Sequence, residues 1–148
     1  MTQLTEHFSL EELIFSSTAE RKGIDNTPTP NVADNLATLA KLLEQVRTLL
    51  GGPLHIDSGY RCPELNQDVG GSKLSAHMFG RAADFVCAEY GSPMEIVTSL
   101  STSNLVYDQI IQEGTWVHIS IPEDGKSPRQ QILTAHFVDG KATYTVGV

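Results

Sequence analysis

Val32, Leu36, Leu39, Leu43, Val46 and Leu50 recur at alternating intervals of four and three. On a helix of 3.6 residues per turn that spacing gathers them into one apolar stripe. A stripe of this length has to be covered, so the chain must build a helix over about residues 31–50 and pack something against one side of it. Gly51-Gly52-Pro53 stops the helix sharply, because glycine tolerates the left-handed cap and proline cannot continue the ladder. Upstream, Ser9-Leu10-Glu11-Glu12 has the spacing of a capping box and predicts a short helix through about Phe15. Residues 16–30 are polar and contain Gly23, Pro28 and Pro30, and they read as an ordered loop.

After the long helix the periodicity changes. Residues 54–57 read as a short strand and residues 82–87 as another. Ser92-Pro93-Met94-Glu95 starts a second helix, with proline at the first helical position, which runs to about Leu100. Strands are predicted over 105–112 and 116–121, joined tightly near Gly114. Two more, 131–138 and 141–146, flank Asp139-Gly140, a strong hairpin signal. Helices come first and antiparallel strands later, so the expected class is α+β, in one domain over residues 1–148. Residues 58–81, rich in Gly, Ser, Asn and Pro, form a connection too long to be idle.

Composition narrows the function. A chain of 148 residues with 40% hydrophobic residues can bury a core without a metal staple, so a metal site here would be catalytic. Ten basic against 18 acidic residues give a formal charge of −8, which disfavours nucleic acid and anionic membranes as partners. No apolar run approaches the roughly 20 residues that span a bilayer. Met1-Thr2-Gln3-Leu4-Thr5-Glu6-His7 has neither a basic start nor an apolar signal core, so the expectation is a protein made in the cytoplasm and not exported by its own signal. Cys62 and Cys87 are expected to be free thiols, a bridge between them being the alternative.

The chemistry concentrates in two segments. In Ser75-Ala76-His77-Met78-Phe79-Gly80-Arg81-Ala82-Ala83-Asp84, a histidine ends a polar loop and an aspartate follows seven residues later inside an apolar strand. Strand alternation puts Ala82, Asp84 and Val86 on one face. An aspartate there is costly to bury without a partner, and a metal ion is one such partner. In Trp116-Val117-His118-Ile119-Ser120 the same alternation groups Trp116, His118 and Ser120. Two histidines and an aspartate are three zinc ligands that leave a fourth position open, the arrangement of catalytic zinc. Taken singly, a strand histidine is also an ordinary hydrogen-bonded core residue and a buried aspartate an ordinary cap or ion-pair member. No H-E-x-x-H helix is present, so spacing alone leaves both readings open.

The stretch Ser58-Gly59-Tyr60-Arg61-Cys62-Pro63-Glu64-Leu65-Asn66, then Val69-Gly70-Gly71-Ser72, then Ser75-x-His77-x-x-Gly80-x-Ala82-x-Asp84, resembles the zinc D-Ala-D-Ala carboxypeptidases and the related phage endolysin peptidases. Trp116-x-His118-x-Ser120 is similar to that family's second metal motif. Phe8-Ser9-x-Glu11-Glu12 and Gly23-Ile24-Asp25-Asn26 resemble its phage-associated branch. The resemblance covers about residues 8 to 135. It implies the small α+β fold shared with the hedgehog signalling domain, in which helices pack on a central antiparallel sheet that carries the metal.

By that resemblance His77, Asp84 and His118 hold one zinc per chain, and Arg61 holds a substrate carboxylate or carbonyl, for which its fork of donors is suited. A clamp from Arg61 to Asp57 or Asp68 is the competing role. Ser75 bonds substrate or supporting groups, or else simply stabilises its turn. Several relatives carry a glutamate three residues before the second metal histidine; here that position is Thr115, which is no base. Glu113 is the nearest carboxylate and the expected general base, its alternative being a solvated turn residue. His55 and His136 are expected to be ordinary strand or surface residues, and His7 to belong to the N-terminal arm. The implied activity is hydrolysis of an amide bond in peptidoglycan stem peptide, either D-Ala-D-Ala or L-Ala-D-Glu, by a monomeric phage or prophage product acting on the cell wall. The rival is a non-catalytic zinc-containing binding or virion structural module of the same fold, which the threonine at 115 keeps open.

Overall fold

The computed structural model describes residues 2–148. Its longest helix, α3 (Pro30–Leu50), starts where Thr29 Oγ1 accepts from the Val32 N–H, and ends at Gly51 in the left-handed conformation, φ 72°. Leu36, Leu39, Leu43, Val46 and Leu50 of the predicted stripe are buried, with Ala40 and Leu42 beside them; Val32 is partly covered. Each fully buried leucine contributes roughly 1.5–3 kcal/mol of transfer free energy. Four other helices are α1 (Leu10–Ile14), α2 (Ser17–Lys22), α4 (Pro63–Asp68) and α5 (Pro93–Ser101). The Ser9 hydroxyl caps α1 through the Glu12 N–H, and a full capping box between Ser92 and Glu95 opens α5.

Two of these helices correct the expectation of loops. Within 16–30, Ser16 Oγ accepts from the Ala19 N–H and Gly23 closes the far end at φ 67°, so six residues suffice for α2. Within 58–81, Pro63 takes the first helical position and Glu64 suits the first turn of α4. A 3₁₀ turn follows at Ala76–Phe79. Both helices are too short for a periodic stripe, so only their caps could have announced them.

Six strands form one sheet: β1 (His55–Ser58), β2 (Ala82–Val86), β3 (Gln109–Gln112), β4 (Val117–Ser120), β5 (Gln131–Val138) and β6 (Lys141–Val146), in the order β1-β2-β4-β3-β5-β6. Residues 105–108, expected in a strand, precede β3 instead: the Tyr107 N–H goes to the Gln130 side chain and Leu105 O accepts from the same amide. All pairings are antiparallel except β3 with β5. That exception has a simple cause. Strand β4 ends beside the start of β3, and the chain crosses over there, so β5 sets off in the direction of β3. Arg129 ties the crossover to Asp108, with Nη2 2.8 Å from Oδ2. At the β5–β6 turn Asp139 and Gly140 both have positive φ, 51° and 75°, as the hairpin signal requires.

The sheet's two faces differ. Ala83, Phe85, Ile110, Val117 and Ile119 point into the core with α3 and α5. The opposite face carries Asp84, His118 and Ile111. Ala82, Ile111 and Ala135 are buried without belonging to that core, so other residues cover them. Among the described residues no helix is long and apolar enough to cross a membrane.

Candidate metal centre

Strand register builds most of the site. Asp84 lies directly opposite His118 in the β2–β4 pair, and Ser58 opposite Asp84 on the other side. His77 comes from the 3₁₀ turn, where Ser75 Oγ accepts from the His77 N–H and Gly80, at φ 69°, sends the chain into β2. These elements bring the three predicted ligands together: one ligating atom from each lies within 4.8 Å of the others. His118 Nδ1 is 3.0 Å and His77 Nε2 3.3 Å from the same oxygen, Asp84 Oδ1. Two donors about 2.0 Å from a tetrahedral zinc stand about 3.3 Å apart, so these separations suit the ion.

The tautomer of His77 strengthens the fit. Its Nδ1 donates to the Gly59 carbonyl at 2.7 Å, which leaves Nε2 without a proton in the neutral ring. A bare nitrogen then faces a carboxylate oxygen at 3.3 Å with His77 only 3% exposed. Two facing lone-pair donors repel unless a cation lies between them. Burial pushes the Asp84 carboxyl up, yet the His118 hydrogen bond, with the His77 ring close by, outweighs it and holds it well below the usual carboxylate range. Asp84 is therefore ionised, as a ligand must be.

Arg61 stands at one side of this centre. Its backbone N–H bonds to His77 O at 3.0 Å and its Nη2 donates to Ser75 Oγ at 3.3 Å, while Nε is buried without a partner. The anticipated clamps are otherwise engaged: Lys22 holds Asp68 at 2.9 Å, and His55 lies 3.5 Å from Asp57. Burial lowers the guanidinium's pKa, and the Asp84 charge opposes that. Ser75 thus both caps the turn and steadies Arg61. A recess of about 220 Å³ opens beside Arg61, lined by Asp57, Ser58 and Ser16 among others. A wider groove between α3 and residues 103–106 lies among none of these donors.

Glu113 follows β3 directly, and its N–H bonds to Trp116 O at 3.0 Å across the tight turn. Burial pushes its carboxyl up; the His118 ring opposes this and the Asp84 charge adds to it. It is half-buried on the His118 side, whereas Thr115 is exposed at the turn tip. His7 bonds to Glu44 and His136 to Thr145, and neither joins the centre. Cys62 and Cys87 are both free and buried.

Two supporting residues carried no assigned role in the sequence. The Gly59 carbonyl orients His77. Asn26 donates from Nδ2 to Ile14 O and Tyr60 O and accepts the Cys62 N–H, pinning the Arg61 segment to the N-terminal helices. Both stood inside recognised motifs, but a backbone acceptor leaves no trace in residue type.

A family model described as Peptidase M15 matches residues 6–120, well over half of the chain and every residue of this centre. No match is found among curated proteins.

Proposed function

Because the chain belongs to the peptidase M15 family of zinc metallopeptidases, we propose that it hydrolyses an amide bond in the stem peptide of bacterial peptidoglycan. The observation that supports this best is the pairing, around the His77–Asp84–His118 donors, of a half-buried carboxylate on one side and a half-buried guanidinium on the other. Zinc, when bound, supplies a Lewis acid and lowers the pKa of water toward about 7. Glu113 takes a proton from the attacking water on its carboxylate and delivers it to the leaving nitrogen as the C–N bond breaks. Arg61 offers the guanidinium N–H groups that Ser75 does not hold to a carboxylate or carbonyl of the peptide. The Gly59 carbonyl holds the Nδ1 proton of His77, so Nε2 would be free to hold the ion.

A free carboxylate held by Arg61 would make the bond cut D-Ala-D-Ala; a mid-chain carbonyl there would make it L-Ala-D-Glu. The Phe8–Glu12 and Gly23–Asn26 motifs favour a phage or prophage product that reaches the wall on release or as part of a virion. Purified cell wall incubated with the protein, with and without a chelator, tests the reading, and the released termini name the bond. Zinc-dependent release of amino groups is expected. Stoichiometric zinc with no release from wall or soluble stem peptides would instead select the non-catalytic module.

A further inference from the structure

Residues 121–148 lie beyond the segment that the family model matches, and they add β5 and β6 to the sheet beside β3. Register carries them onto the metal-bearing face. Ile111 stands opposite His118 on one side and Leu133 on the other, and Leu133 stands opposite Val146. Gln112 pairs with Thr134, so Glu113 falls level with the next residue, Ala135, whose own partner is Tyr144. The row Glu113–Ala135–Tyr144 therefore crosses the sheet on one face. Ala135 is small and only 7% exposed, as expected if neighbouring side chains lean over it.

Two further observations place aromatic rings at the base. A Cβ built on Gly114, next to Glu113, would lie 3.6 Å from the Phe137 ring. Burial pushes the Tyr144 phenol up, and the charge of Glu113 adds to it. Yet Phe137 remains 54% and Tyr144 51% exposed, so about half of each ring is free to meet a ligand. No basic residue joins them in that row; the guanidinium of the site is across it, at Arg61.

We infer that Phe137 and Tyr144 form an aromatic wall of the substrate groove on the Glu113 side, receiving the uncharged, methyl-bearing body of the peptide while its carboxylate or carbonyl is held at Arg61. This rests on the peptidase reading, and it makes Tyr144 a specificity-determining residue contributed by a hairpin outside the matched segment. Aromatic faces suit such contacts, since they cover apolar groups at little entropic cost.

The test uses the full zinc-loaded chain carrying Glu113→Gln to prevent turnover, and a soluble stem pentapeptide as ligand. Tyr144→Ala and Phe137→Ala are each expected to weaken binding about tenfold, while Tyr144→Phe keeps the ring and the affinity. Equal losses in Tyr144→Phe and Tyr144→Ala, or none in the alanine variants, would overturn the wall. A readout on the Glu113→Gln chain without further change guards against misfolded variants. Of its four tyrosines, Tyr144 and the 39% exposed Tyr90 are open to nitration, and bound peptide should protect Tyr144 but not Tyr90. Unprotected Tyr144 at saturation refutes the proposal. Wild-type turnover is scored separately. Hydrolysis with an unchanged KM in Tyr144→Ala sinks the wall and leaves the peptidase. Tyr144-dependent binding without hydrolysis sinks the peptidase and leaves the wall. Absence of binding sinks both.

Discussion

Replacing Gly59 by alanine should detach the metal centre from its support. A Cβ at Gly59 would lie 2.1 Å from the Leu13 carbonyl oxygen and 2.9 Å from its carbon, against 3.4 Å or more for ordinary contact. The obstruction is backbone and is held in place, since Leu13 O also accepts the Tyr60 N–H at 2.8 Å. Relief requires the chain at Gly59 to move by about 1 Å, a displacement that packed interiors resist. The Gly59 carbonyl travels with it, and a 2.7 Å bond to His77 Nδ1 stretched by that much is no longer a hydrogen bond. Loss of such an orienting bond typically costs 10–100-fold in metal affinity, or about 1.4–2.8 kcal/mol. The strain and the broken bond should together lower folding stability by roughly 2–4 kcal/mol. Zinc affinity by competition with a chromophoric chelator and stability by denaturant titration of the apo-protein measure the two effects separately. Gly125→Ala is the control: its Cβ meets nothing within 4 Å, so it should cost about 1–2 kcal/mol for its positive φ and leave zinc affinity alone. If Gly59→Ala binds zinc as tightly as the parent, the carbonyl does not orient His77 and the argument for the bare Nε2 fails.

Glu113→Gln should keep zinc and lower kcat by roughly a hundred-fold or more with little change in KM. Because burial raises the Glu113 pKa, activity should fall on the acid side at a pH above the ordinary carboxylate range, as the base is protonated. The same shift opposes folding once the group ionises: its stabilising contribution is complete below the unfolded pKa and lost as pH rises through the folded one. Apo Glu113→Gln should therefore be no less stable than the parent near pH 7, and a clear destabilisation there would contradict a desolvated carboxylate. Arg61→Ala should lose most activity while retaining zinc and a near-parent Tm, and a large stability loss would return Arg61 to a structural role. Cys62 and Cys87 should both alkylate in denaturant without reductant, which a bridge would prevent.

Much of this arrangement was legible in the sequence because it rests on periodicity and on side-chain type. The 4-3 spacing gave α3, and strand alternation fixed which neighbours share a face with Asp84 and with His118. What escaped depends on backbone groups and long-range pairing. Helices α2 and α4 are six residues each, below one full repeat of any apolar stripe. The parallel β3–β5 pairing follows from where a crossover lands, which Gln131–Val138 does not encode locally. Glu113 was found as a neighbour of His118 in sequence, but its companionship with Tyr144 depends on a strand thirty residues further on.

The facing of Asp84 and His118 across β2 and β4 has a consequence for how the chain reaches this fold. Side chains alternate with a period of two, so closing β2 on β4 one residue out of step sends one of the two ligands toward the helices. A mispaired sheet then offers the ion two donors at most. Metal present during folding stabilises only the in-register product, by about 2.7 kcal/mol at a hundredfold excess over Kd. Zinc loading would therefore favour the correct strand register, and a misaligned chain would be sorted from a correct one by the same three side chains proposed to hold the ion in the reaction.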